Sequence, residues 1–180
     1  MSATATGTLA EDIRRAIRDV PDFPKPGIVF KDITPLLADA ALFRRATSAM
    51  AEPFARSGIT HVVAIESRGF LLGAPVALAL DAALVPVRKP GKLPSQTASI
   101  EYALEYGTDT LEIHADACDH QARVLIVDDV LATGGTAAAA GDLVRGRGAM
   151  VEGYSFLMTL SFLTGEKRLS GSKVHQLVRY

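Results

Sequence analysis

The chain of 180 residues has one cysteine, Cys118, and no tryptophan, and only 6% of it is aromatic. A lone thiol cannot close a disulfide within the chain, which excludes the stapled secreted frameworks and fits a reducing compartment. Apolar runs of about 18 residues or more are also missing, so no membrane-spanning helix is expected. The segment from Met1 to Leu9 has neither a basic nor an apolar stretch and does not read as a secretory signal. Charge of one sign is not in excess: 19 Lys and Arg stand against 20 Asp and Glu, a net charge of -1. This balance speaks against a nucleic-acid scanner or a membrane-surface binder, both of which carry a basic excess. His61, His114, His120 and His175 show no ligand spacing, so no zinc site is expected. The expected setting is the cytoplasm, with neither nucleic acid nor membrane as a partner.

What is present is an alternation of helix and strand patterns. Thr8 and Glu11 have capping-box spacing ahead of Leu9, Ile13 and Ile17, which share one helical face. The prolines of Pro21-Asp22-Phe23-Pro24-Lys25-Pro26-Gly27 forbid that helix to continue, and Ile28-Val29-Phe30 reads as a short strand. Asp39 is placed to cap a second helix running to about Phe54. Then come a strand over His61–Glu66, an Ala/Leu-rich helix to about Leu80 and a strand over Ala83–Val87. Arg88 to Ser99 is basic and carries Pro and Gly, the composition of a long mobile loop. Strands around Tyr102–Tyr106 and Thr110–His114 form an expected hairpin across Gly107-Thr108-Asp109. Arg123–Val127 suits a central parallel strand, followed by a helix from about Thr136 to Arg145 and strands near Val151–Leu160 and Lys173–Arg179. The pattern is α/β: a central, mainly parallel sheet with helices on both faces, in a single domain over residues 1–180.

The stretch from Val124 to Thr136 carries the most chemistry. A buried strand ends in two acids, Asp128 and Asp129, and the small residues Ala132, Thr133, Gly134 and Gly135 lead to Thr136 at a helix N-terminus. Ligands of open α/β sheets bind beyond the carboxyl ends of the strands, and a helix N-terminus offers unpaired N–H groups to phosphate. The two carboxylates can accept hydrogen bonds from vicinal ribose hydroxyls, so one turn can hold a sugar together with its phosphate. A Walker-B reading would need a G-x-x-x-x-G-K-[ST] partner, which the chain lacks. Around Ser67 the loop nearly spells G-x-S-x-G, but position 65 is Ile and no triad partners accompany it.

All 13 positions of that stretch resemble the phosphoribosyl-pyrophosphate signature of the type I phosphoribosyltransferases. Asp22 to Leu37 is similar to the base-recognition segment of the family's adenine-using branch. Ile65-Glu66-Ser67-Arg68-Gly69-Phe70 resembles the family's pyrophosphate loop, and Arg88-Lys89-Pro90-Gly91-Lys92 with Tyr102–Gly107 resembles its mobile loop and the strand after it. The resemblance runs from about Pro21 to Leu160. It implies the type I phosphoribosyltransferase fold, with residues 1–35 as an N-terminal hood and 88–110 as mobile loop and hairpin.

The implied reaction is purine salvage: the 5-phosphoribosyl group of phosphoribosyl pyrophosphate passes to adenine, giving AMP and pyrophosphate. Adenine would stack on Phe30, with backbone at Val29 and Lys31 reading its edge and Leu160 packing nearby. Glu105 would exchange a proton with purine N7, and a carboxyl in a water-poor site has the raised pKa this requires. Arg68 would fork onto pyrophosphate oxygens beside Ser67, after a cis Glu66–Ser67 peptide. Arg88, Lys89, Lys92 and Tyr106 would close over the site and keep water from an oxocarbenium-like carbon. Mg²⁺, held by substrate and water with no direct protein ligand, and a homodimer are implied as well. Lys31 and Thr159 depart from the arginine and glutamate common in relatives. A regulator that binds phosphoribosyl pyrophosphate without catalysis is the alternative, and it would need a nucleic-acid-binding surface that this chain lacks.

Overall fold

The computed structural model describes residues 7–103 and 107–180. In α1 (Leu9–Ala16) the capping box is complete: Thr8 accepts from the Glu11 backbone, and the Glu11 carboxylate accepts from the Thr8 backbone at 2.8 Å. Ile13 and Ile17 are buried as the helical spacing requires. Before the proline-rich turn lies a strand that the sequence reading omits, β1 (Arg18–Pro21), antiparallel to β2 (Val29–Asp32). The short helix α2 (Thr34–Ala38) was also unforeseen. Asp32 starts it by accepting from the Thr34 backbone and hydroxyl, both at 2.9 Å. Asp39 caps α3 (Ala40–Ala51) by accepting from the Ala41 and Leu42 N–H groups at 3.0 Å. The residues through Thr47 make up one compact unit and Ser48–Tyr180 another.

The second unit is built on a five-stranded, wholly parallel sheet of order β4-β3-β7-β8-β9. Its strands are β3 (His61–Ile65), β4 (Ala83–Val87), β7 (Arg123–Leu131), β8 (Met150–Thr159) and β9 (Lys173–Arg179). β5 (Thr97–Ala103) and β6 (Thr108–His114) form a separate antiparallel hairpin. The apolar runs of β3 and β7 are buried on both faces, as expected of parallel strands covered on two sides. On one face Val63, Ile65, Val124 and Ile126 share a core with Ala140, Leu143 and Val144 of α5 (Gly135–Gly146). On the other lies α4 (Arg68–Ala79), packed so closely that a Cβ on Gly73 would stand 2.6 Å from that of Ala64.

Boundaries differ from the sequence reading in several places; Thr108 and Asp109, read as hairpin turn, are strand residues of β6 paired with Ala103 and Tyr102. The hairpin begins at Thr97, so the basic connection is shorter than the stretch to Ser99, and the Arg88 backbone bridges to Glu112 of β6. β7 continues to Leu131 and carries both acids within it, because β8 goes on pairing with it through Leu131↔Thr159. β3 stops pairing with β7 at Ala64↔Val127. The chain turns to β4 on one side of β3 and to β8 and β9 beyond β7, so the strand order reverses between β3 and β7. A ligand crevice is expected at the carboxyl ends of those two strands.

Candidate active site

At that crevice a cavity of about 460 Å³ is lined by the loop after β3, the end of β7, the start of α5 and the hairpin. It gathers half of the expected residues: Ser67, Arg68, Lys89, Asp128, Asp129, Ala132, Thr133, Gly134 and Thr136. Asp128 is the first residue of β7 beyond the pairing with β3, so its carboxyl lies where the two strands part. Asp129 is 3% exposed and meets Arg68 Nε at 2.8 Å as an ion pair. Its N–H donates to Asp128 Oδ1 at 2.9 Å. Burial, and then the neighbouring Asp129 carboxyl, push the Asp128 pKa well above its ordinary value. Burial also raises Asp129, against the pull of Arg68. Adjacent acids in such a place call for donors, and the hydroxyls of a sugar supply them without bringing charge. Gly69 makes the approach of α4 possible, since a Cβ there would stand 2.8 Å from Asp128 Oδ1.

Beyond the acids the backbone turns through Ala132–Gly134 into α5. Gly134 holds φ at +81°, a left-handed conformation that side chains disfavour. A Cβ at Gly134 would overlap the Gly165 carbonyl, and one at Gly165 would overlap that of Ala132. The turn is therefore braced from behind by backbone, and the start of α5, where helix N–H groups lack intrahelical partners, lies at the cavity. Gly135 is buried beneath this turn and does not line the cavity.

The basic loop is tied down by acids. The Glu66 carboxylate accepts from Lys92 Nζ at 2.7 Å, from the Lys89 N–H at 2.9 Å and from Arg88 Nη2 at 3.2 Å. Burial pushes Glu66 upward, but these donors outweigh it and bring the pKa down to about 2. Arg88 and Lys92 are thus gathered at Glu66 rather than along the cavity wall, and only Lys89 lines it. Lys89 Nζ forms an ion pair with Asp109 Oδ2. The Glu66–Ser67 peptide is cis, as the resemblance implies. Glu66, Tyr102 and Asp109 line the cavity but are absent from the sequence-based site. Two of them were hidden because the sequence reading puts Asp109 in the turn, whereas Thr108 and Asp109 pair within the hairpin and Tyr102 stands opposite Asp109. Glu105 and Tyr106 lie outside the described residues.

Of the other expected residues, Leu160 donates its N–H to Leu131 O at 2.9 Å, at the end of β7. The base segment belongs to the first unit. There Val20 pairs with Phe30, and Lys31 Nζ meets Asp19 Oδ1 at 2.6 Å, which commits the side chain. Phe23 meets Phe30 edge-on, with ring centroids 5.1 Å apart and planes at 73°. Val29 is 51% exposed.

A parallel sheet with paired acids at its reversal point and a glycine turn feeding a helix defines a class that handles phosphorylated sugars. The phosphoribosyl transferase domain model matches residues 33–157, and the chain belongs to this phosphoribosyltransferase family. Within the family, its relatives over nearly the whole length are adenine phosphoribosyltransferases. That of Myxococcus xanthus is 56% identical over 96% of this chain and 94% of its own length. The crystal structure of the Thermoanaerobacter pseudethanolicus enzyme matches with a TM-score of 0.93 at 51% identity, over 96% of this chain and 100% of that one. The Saccharomyces cerevisiae enzyme, solved with an imino-altritol bisphosphate and adenine, matches with a TM-score of 0.88 at 42% identity, over 94% and 98% of the two chains.

Proposed function

We propose that the protein transfers the 5-phosphoribosyl group of phosphoribosyl pyrophosphate to adenine, releasing pyrophosphate and AMP in purine salvage. The observation that carries this reading is the joining of the Asp128–Asp129 pair to a left-handed glycine turn and a helix N-terminus in one cavity. In this reading Asp128 and Asp129 accept the ribose hydroxyls, and the backbone of Ala132 to Gly135 with the hydroxyls of Thr133 and Thr136 holds the 5-phosphate. Arg68 and Ser67 hold pyrophosphate, which draws Arg88, Lys89 and Lys92 towards itself. Phe30 stacks on adenine, with Val29, Lys31 and Leu160 around it. Glu105 exchanges the proton at N7, and Tyr106 helps to close the site. The whole chain acts as one functional domain.

Among the described residues no three His, Cys, Asp or Glu side chains gather as a metal site. A pair of carboxylates beside an anion cavity fits a Mg²⁺ that arrives with the diphosphate and keeps several waters. Bound there, it neutralises the charge of the leaving pyrophosphate. A homodimer is supported by exposed apolar surface: Leu71 (49% exposed) and Leu78 (84%) lie two turns apart on α4, and Leu84 (45%) lies on the edge strand β4. A second copy of the chain is the occupant that suits it. No helix among the described residues is long and apolar enough to cross a membrane, and a buried free thiol, Cys118, suits a reducing cytoplasm.

The test is to incubate the protein with phosphoribosyl pyrophosphate, Mg²⁺ and an equimolar mixture of adenine, hypoxanthine, guanine, xanthine and orotate, and to identify the nucleotide. AMP alone is the expected product. A different nucleotide would overturn the role given to residues 22–37. Binding without any product would favour the non-catalytic regulator.

A further inference from the structure

The cavity contains a chain of polar side chains that the proposed reaction leaves unexplained. Lys89 Nζ pairs with Asp109 Oδ2, and the Tyr102 hydroxyl lies 3.2 Å from the same oxygen. The Tyr102 hydroxyl is also 3.2 Å from Thr136 Oγ1 and 3.4 Å from Lys89 Nζ. All four side chains line the cavity. They come from three separate elements: the loop after β4, the β5–β6 hairpin and the start of α5. The hydroxyl of Tyr102 is the one atom that touches the other three groups.

We propose that Tyr102 is a positioning residue for the phosphorylated substrate, its hydroxyl aligned by Asp109 and tying Thr136 of the phosphate turn to Lys89 of the basic loop. The inference rests on the reading that phosphoribosyl pyrophosphate occupies this cavity. Proton directions follow from the chemistry of the groups. An ionised carboxylate only accepts, so the single Tyr102 proton goes to Asp109 and the Tyr102 lone pairs accept from Thr136 and Lys89. When a phosphate arrives at the start of α5, Thr136 turns its proton to a phosphate oxygen and accepts from Tyr102 instead. Tyr102 has one proton, so in this step Asp109 gives up its hydroxyl donor and keeps Lys89, while Tyr102 still holds Thr136 in its rotamer. The groups that meet the two phosphorylated ends of the substrate are thereby ordered together before it binds, which lowers the entropic cost of binding.

Tyr102→Phe removes one oxygen and keeps the ring, and Asp109→Asn keeps the shape while removing the charge. Binding of phosphoribosyl pyrophosphate with Mg²⁺ is measured by calorimetry, alongside both KM values, kcat and Tm. The expected result for Tyr102→Phe is an affinity loss of about 3- to 10-fold. A matching rise in the KM for phosphoribosyl pyrophosphate is expected, with the KM for adenine and Tm close to wild type. Asp109→Asn is expected to behave alike, and the double variant to bind no more weakly than the worse single one, since either change breaks the same chain. Wild-type affinity in Tyr102→Phe overturns the proposal, as do losses in the two variants that simply multiply. Rises in both KM values together with a fall in Tm also overturn it, because they mark a packing role. If the wild-type protein forms no AMP, the catalytic reading fails, while the binding comparison still decides the role of Tyr102.

Discussion

The phosphate turn and the basic loop border the same cavity, yet they are built on opposite plans. The turn from Ala132 to Gly134 is held by backbone: a left-handed glycine with the Gly165 carbonyl packed against it. The loop after β4 is held by side chains, through Arg88, Lys89 and Lys92 on the carboxylates of Glu66 and Asp109. Backbone packing of the first kind has one low-energy arrangement. Ion pairs of the second kind can exchange partners when a competing anion arrives. In the proposed reaction a sugar phosphate is held still while pyrophosphate comes and goes, and the two plans would separate these tasks.

The largest expected effect concerns Glu105. Glu105→Gln should lower turnover by about 100-fold or more while leaving phosphoribosyl-pyrophosphate binding intact. Stopped assays beside calorimetry would show this, and near-normal turnover would remove Glu105 from the chemistry. Gly134→Ala attacks the rigid plan. A methyl group would combine a disfavoured φ with an overlap against backbone, destabilising by about 3 kcal/mol. Denaturant unfolding should detect that loss, and unchanged stability would mean that the turn is not braced as described.

Asp128→Asn should separate stability from function. In the folded protein burial and Asp129 raise the Asp128 pKa, so ionising it costs more than in the unfolded chain, where the value is about 3.9. The stability that comes with the protonated form is fully present below that value and is lost as pH rises. The amide escapes this loss, so the variant should be more stable than wild type by about 0.5–2 kcal/mol at pH 7. The gap should close below about pH 4, and substrate affinity should fall about 10-fold or more with a charge-assisted acceptor gone. A variant less stable than wild type at neutral pH would contradict the burial argument.

The smallest effect belongs to the exchangeable plan. The folded-state pKa of Glu66 is lowered to about 2 from 4.5, so its stabilising contribution is complete above pH 4.5 and is lost as pH falls towards 2. The Tm difference between wild type and Glu66→Gln should therefore stay constant from about pH 5 to 8 and shrink only in acid. A change centred near pH 6 would mean that another group holds the loop.

Much of this was legible in the chain because it depends on neighbours in sequence. The capping box of Thr8 and Glu11, the run before Asp128 and the glycines before Thr136 all act over a few residues; the two helices formed within about a residue of expectation, while β7 began where expected and ran on to Leu131. Less legible were β1 and α2, which are too short to show a hydrophobic period and depend on pairing and on Asp32. The early start of β5 was hidden because Thr97–Ile100 follows a basic, proline-containing stretch that reads as loop.

The sequence by itself determined the α/β class, the place of the phosphate turn and the acids that precede it, since one strand–turn–helix segment contains them all. Tertiary structure alone decided which charges face each other. Glu66 meets Lys92 across 26 residues, and Lys89 meets Asp109 across 20. Those pairings arise where β3 parts from β7 and the hairpin folds over α5. Attraction between charges follows distance in space and the dielectric around them, and neither can be read from spacing along the chain.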